Sequence, residues 1–145
     1  MEIPVYVTPA EVQRVCKALG IRDWSRLKNA KVTDKEARII LKEVNSEGMR
    51  IPLEEFKVGL EVELEHGTRF PDANVTNNHP LLTGKIVLAH LKESMDYYQR
   101  LEVAELEGDL LKALLAKDSS KVESYYRRLL KARFVLAQTE AKALK

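Results

Sequence analysis

The sequence predicts an all-α protein, a small antiparallel helical bundle with a long C-terminal helix. Three observations point there. Thr8-Pro9-Ala10-Glu11, Thr33-Asp34-Lys35-Glu36 and Ser120-Lys121-Val122-Glu123 each read as a capping box, a hydroxyl and a carboxylate that satisfy amides left open at a helix start. Apolar residues around these boxes recur at three- and four-residue intervals, and the alternation of a strand hardly appears. Aromatic residues make up 6% of the chain and charged residues 32%. That balance suits helices with solvated faces better than a sandwich or barrel.

The elements follow in order. Pro9 sits at the first position of a helix that runs to Leu19 and stops at Gly20. Cys16 shares a stripe with Val12, Val15 and Leu19, which assigns it to core packing; as the only cysteine it has no intrachain disulfide partner. Asp23-Trp24 opens a short helical turn. The second helix turns Ala37, Ile40, Leu41 and Val44 inward and ends at Gly48. A third begins near Pro52 and ends at Gly67, with Leu53, Phe56, Leu60 and Leu64 as its main stripe. Val58 and Val62 lie on its other side, the pattern of a helix sandwiched between neighbours.

Thr68 to Leu82 reads as a loop by its Pro, Asn, Asp and Thr content, and its length is that of a functional segment. Within it, Asn74-Val75-Thr76 is suited to tuck the loop back through side-chain bonds to backbone. A fourth helix starts around Thr83, kinks near Ser94-Met95-Asp96, and continues to about Leu106, where Gly108-Asp109 weakens the stretch that follows. The third capping box launches the last helix. Asp96-Tyr97-Tyr98 and Ser124-Tyr125-Tyr126 echo each other, too briefly for a repeat. The expected division is a compact domain over residues 1–107 and a C-terminal extension over 108–145, packed on it or on a partner.

A net charge of +2 is too small to imply nucleic acid or a membrane surface. No apolar run reaches the length of a bilayer span, and the N-terminus carries no secretory pattern, so the expectation is a soluble protein of the cytoplasm.

All three histidines fall between Glu63 and Glu93. Glu63-x-x-His66 and His90-x-x-Glu93 each place a carboxylate and an imidazole on one helix face. Projected at about 100° per residue, Ile86, His90, Tyr97, Leu101 and Ala104 share one stripe, with Glu93 at its border. A carboxylate there needs a partner, because a buried unpaired charge is costly. Two readings stand. In one, Glu63, His66, His90 and Glu93 hold a divalent metal, Zn, Fe or Mn, with Tyr97 or Glu61 as proton donor or base. In the other they form a hydrogen-bonded network between helices, and His66 stabilises a helix C-terminus. No nucleophile arrangement and no glycine-rich phosphate loop is present.

Phe56, the run Gly59-Leu60-Glu61-Val62-Glu63-Leu64-Glu65-His66-Gly67, Asn74-Val75-Thr76, Thr83-Gly84-Lys85-Ile86, Ala89-His90-Leu91-x-Glu93 and Asp96-Tyr97-Tyr98 form a specific combination. In them the chain resembles an uncharacterised domain family seen in bacteria and their phages. The resemblance covers about the middle third and implies no activity. It nominates Glu63, His66, His90 and Glu93 as the site, but not His79, which stands where the family pattern has an acidic or amide residue. A phage setting would make the protein virion-associated.

Beyond the resemblance, Lys121, Arg127, Arg128, Lys131, Arg133, Lys142 and Lys145 make the last helix basic over an apolar stripe of Val122, Tyr125, Leu129, Ala132 and Leu136. Phe134 and Val135 lie off that stripe, as in a helix with more than one neighbour. The N-terminal helix pair lacks the basic cluster of a DNA-reading helix-turn-helix. The function expected is therefore a non-enzymatic interaction or assembly module, linked to a phage or mobile element, with a protein partner or a homo-oligomer. A metal-dependent hydrolase or oxidoreductase is the alternative. A nucleic-acid accessory protein using the basic helix is a third.

Overall fold

A computed structural model describes residues 4–144; Lys145 of the basic set lies outside the described residues. Among these it contains six α-helices and no strand. They are α1 (Pro9–Leu19), α2 (Asp34–Val44), α3 (Leu53–Arg69), α4 (Pro80–Glu93), α5 (Tyr97–Leu115) and α6 (Ser119–Ala143), with 3-10 turns at Trp24–Arg26 and Pro71–Ala73. The all-α expectation holds. Packing divides the chain into two compact units, residues 1–95 and 96–145.

The first unit builds its core where α2, α3 and α4 pack on one another, with α1 against α4 and the Trp24 turn. Trp24, Ile40, Phe56, Leu60, Val87 and Leu91 are almost wholly buried. The capping chemistry explains the starts of the helices. Thr33 and Glu36 form the full reciprocal box at α2. At α1 only half forms: Thr8 accepts the Glu11 amide at 3.2 Å, while the Glu11 carboxylate turns to Arg14 at 2.6 Å. The third box is displaced. Asp118 caps α6 by accepting the Lys121 amide at 3.0 Å, and Glu123 pairs with Arg127 instead. A charged acceptor at the positive end of a helix outcompetes a serine two residues later.

Other boundaries differ from expectation for identifiable reasons. Helix α2 ends at Val44, because the Asn45 side chain binds both the Met49 amide and its carbonyl, at 3.0 and 2.8 Å. Helix α3 runs through Gly67 to Arg69. Gly67 does not terminate it; a side chain there would collide with Asn78 and Asn74, so the glycine makes room for the loop. Helix α4 starts at Pro80, one turn early, with proline in its favoured first position. At Ser94–Asp96 the helix breaks rather than kinks, so the stripe of Ile86, His90, Tyr97, Leu101 and Ala104 is divided between two helices of different units. The face α4 buries is Pro80, Thr83, Gly84, Val87 and Leu91. The 107/108 division falls inside α5, which carries Gly108 in open space without breaking.

The second unit is the hairpin of α5 and α6, joined by a turn in which Lys117 adopts a positive φ of 55°. Leu106, Leu129 and Ala132 form its interior, flanked by Val103, Leu110 and Tyr125. Arg100 bridges the two helices to Glu140 at 2.8 Å, and Arg133 to Glu107. Of the echoed tyrosines, Tyr98 is buried and Tyr126 half exposed, so the echo marks no shared environment.

Candidate functional site

The core-facing residues of α3 and α4 set two facing flanks, and on them the structure joins Glu63 to His90. Nδ1 of His90 lies 3.2 Å from Oε1 of Glu63, a distance at which an imidazole proton is donated to a carboxylate. Both side chains are largely sheltered, so the bond ties α3 to α4 at the edge of the core. His66 approaches the other oxygen of Glu63 only to 3.9 Å, and its ring is 60% exposed. It sits one turn from the C-terminal end of α3, where a positive charge is favoured.

Glu93 is the last residue of α4 and is exposed; among the described residues it makes no ion pair with His66 or His90. Three of the four nominated residues therefore come together and the fourth does not. Among the described residues no group of three or more His, Cys, Asp or Glu side chains is placed to hold a metal ion. Glu61 faces a different neighbour: its carboxylate accepts the Val32 amide at 3.0 Å and Lys31 Nζ at 3.1 Å. Tyr97 belongs to the second unit.

The loop after α3 is organised by its asparagines. Nδ2 of Asn74 donates to the Gly67 carbonyl at 3.2 Å and to Oδ1 of buried Asn78 at 3.0 Å. Asn77 reaches back to the Val7 carbonyl. Asn77 and Asn78 both adopt left-handed backbone, which asparagine tolerates better than most residues. The Asn74-Val75-Thr76 motif thus fixes the loop, as its side-chain chemistry suggested.

His79 closes this loop as the N-cap of α4. Its Nδ1 accepts the Leu81 and Leu82 amides at 3.2 and 3.4 Å, a task that requires the neutral ring. Burial holds its pKa below the ordinary 6.5, against a raising contribution from Glu11. Because the folded state prefers the neutral ring, stability from this cap is full above pH 6.5 and falls as the pH drops below it. His79→Asn keeps a capping acceptor that does not titrate. In urea unfolding between pH 8 and 5, the variant is expected to gain on the wild type toward pH 5 by about 1 kcal/mol. Parallel curves would rule out the neutral-ring cap.

The most completely built polar centre lies elsewhere, around Glu36, which the sequence marks only as part of a helix cap. Glu36, 3% exposed, accepts five hydrogen bonds: Arg22 Nε at 2.8 Å and Nη2 at 2.7 Å, Trp24 Nε1 at 3.2 Å, and the amide and hydroxyl of Thr33 at 2.9 and 2.8 Å. Burial alone would raise its pKa, but Arg22, Thr33 and Trp24 outweigh it and hold the carboxyl at about 2. All its acceptor capacity is spent internally, so this centre is structural.

No helix among the described residues is long and apolar enough to cross a membrane. Neither a curated protein nor a solved structure matches the chain. A family described as "Protein of unknown function (DUF5661)" matches residues 12–107, from α1 into α5, and so includes Glu63, His66, Gly67, Asn74, His90 and Glu93. With well over half its length matched, the chain belongs to the DUF5661 family of proteins of unknown function.

Proposed function

We propose that this protein is a non-enzymatic helical interaction and assembly module. The Glu63–His90 bond braces the α3–α4 pair, and the α5–α6 hairpin docks a protein partner. The observation behind the docking role is the apolar surface of the hairpin: Leu111, Leu114, Leu115, Tyr126, Leu130 and Phe134 are all about half exposed or more. Exposed apolar surface on this scale on a two-helix element marks an association site. The setting in a phage or another mobile element is supported by the sequence resemblance; the location is the cytoplasm, or the virion if the setting is a phage.

Elemental analysis of protein purified without a metal-binding tag, with His90→Ala alongside, tests this against a metal enzyme. The expected result is no stoichiometric metal in either protein, and a variant destabilised by about 1 kcal/mol through loss of one hydrogen bond. Stoichiometric metal in the wild type that disappears in the variant would overturn the module reading.

A further inference from the structure

The hairpin exposes leucines and aromatics on both of its helices. Leu111, Leu114 and Leu115 occupy one face of α5, and Tyr126, Leu130 and Phe134 succeed one another every fourth residue on α6. Leu114 and Tyr126 line one groove together with Val122, beside Lys117, Ser119 and Glu123, so the two stripes meet there, at the turn end of the hairpin. Exposure runs from 49% at Leu130 to 76% at Leu115. At roughly 200 Å² per large apolar residue, these six leave about 700 Å² open. A standard stable interface takes about 800 Å² from each partner.

The charges around this surface describe what fits it. Glu123 pairs with Arg127 at 2.7 Å, and Glu107 with Arg133. At the turn end, Asp109 pairs with Lys112 at 3.1 Å and Asp118 with Lys121 at 3.5 Å. In these four pairs acids and bases neutralise one another, so a strongly charged partner gains little from them. Arg128 and Lys131 instead line a different groove, with Gln99, Glu102 and Val135. An occupant of the apolar side needs a helical surface of similar area, apolar at its centre and balanced in charge. The chain itself offers one.

We infer that two copies of the chain pair through this face, their α5–α6 hairpins closing into a four-helix bundle. Two hairpins packed face to face bury the stripe that each alone leaves to water. An isologous two-fold contact needs only a self-complementary patch, and an apolar strip whose groove carries one cation, Lys117, and one anion, Glu123, is one. All six residues lie beyond residue 107, where the family match ends, so pairing belongs to the C-terminal hairpin rather than to the matched region.

The inference rests on the interaction-module reading and fails separately from it. Light scattering on the full chain at about 1–100 μM, at and above the weak end of the μM-to-pM range of standard-size interfaces, is expected to give twice the 16.5 kDa chain mass for the wild type. Leu130→Glu with Phe134→Glu should give the single-chain mass with helical content retained. Val75→Glu, an equally apolar exposed position in the first unit, should leave the dimer intact. Because Cys16 is buried, Leu130→Cys supplies one reactive thiol near the centre of the patch. It should crosslink two chains under mild oxidation where Val75→Cys does not. A wild type that stays monomeric at the top of that range, or a dimer indifferent to the double substitution, overturns the pairing. So does a monomer destabilised by that substitution, since the face would then be covered within one chain. In each case the metal analysis still decides independently between module and enzyme.

Discussion

Replacing Glu36 with glutamine is expected to destabilise the protein by about 2–3 kcal/mol, although no atom of the core is removed. Oε1 accepts Arg22 Nε and Trp24 Nε1, while Oε2 accepts Arg22 Nη2 and two groups of Thr33. Whichever way the amide lies, its NH2 faces at least two donors and repels them. The buried Trp24 indole and the start of α2 lose their anchor together. A shift from 4.5 to about 2 corresponds to roughly 3 kcal/mol of stabilisation of the ionised form. The side chain of Arg22 is 46% exposed, so solvent screening puts the measured loss at or below that figure.

The pH dependence separates this charge effect from simple disturbance of packing. A depressed carboxyl pKa means that the folded state favours the ionised form. Its contribution is complete above pH 4.5 and is lost as the pH falls toward 2. The stability gap between wild type and Glu36→Gln should therefore be widest near pH 6 and close on approach to pH 2. Trp24, the only tryptophan, reports unfolding by its fluorescence and sits in the perturbed centre itself. A gap that stays constant from pH 6 to pH 2 would show that the carboxylate's charge is not what holds this corner.

What could be read from the sequence was local. The caps at Thr8, Thr33 and Asp23 depend on neighbours within three residues, and each appears in the structure. The failures involved partners distant in sequence. Gly67 reads as a stop signal, yet it sits in a helix because Asn74 and Asn78 need its missing side chain. Thr83 and Gly84 are not hydrophobic, so a projection of apolar residues passes over them and rotates the buried face of α4 toward Ile86 and His90. The Glu63–His90 contact was recoverable because both residues lie on flanks beside a strongly apolar stripe. Glu93 was not excluded because helical spacing says nothing about where α4 stops. In the sequence Glu36 reads as half of a capping box, and its second role depends on Arg22 and Trp24, more than ten residues away. The one available hint was Arg22 beside the lone Trp24, in a segment too short for either to be satisfied along a helix.

Substituting valine for Gly84 is expected to cost about 3 kcal/mol or more, and alanine nearer 1, whereas Gly108→Ala should stabilise by about 0.5–1 kcal/mol. All three changes improve helix propensity or leave it nearly even, since glycine is the poorer helix former. Their difference lies in what the new atoms meet. A Cβ on Gly84 would stand 2.6 Å from Cγ2 of Ile40, 3.2 Å from Cγ1 of Val44 and 3.5 Å from Cζ of Phe56. Ile40 and Phe56 are fully buried and have nowhere to retreat, so α4 itself must move off α2 and α3. Movement of α4 also stretches the Glu63–His90 bond, whose two ends ride on α3 and α4. At Gly108 a Cβ meets nothing within 4 Å, and only the propensity gain remains. Thermal unfolding of the three variants followed by circular dichroism measures these differences. Close helix contact requires stability to rise from Gly84→Val through Gly84→Ala and the wild type to Gly108→Ala. A Gly84→Val variant as stable as the wild type would mean that α4 does not press against Ile40 at this point, and the packing that positions His90 would have to be redrawn.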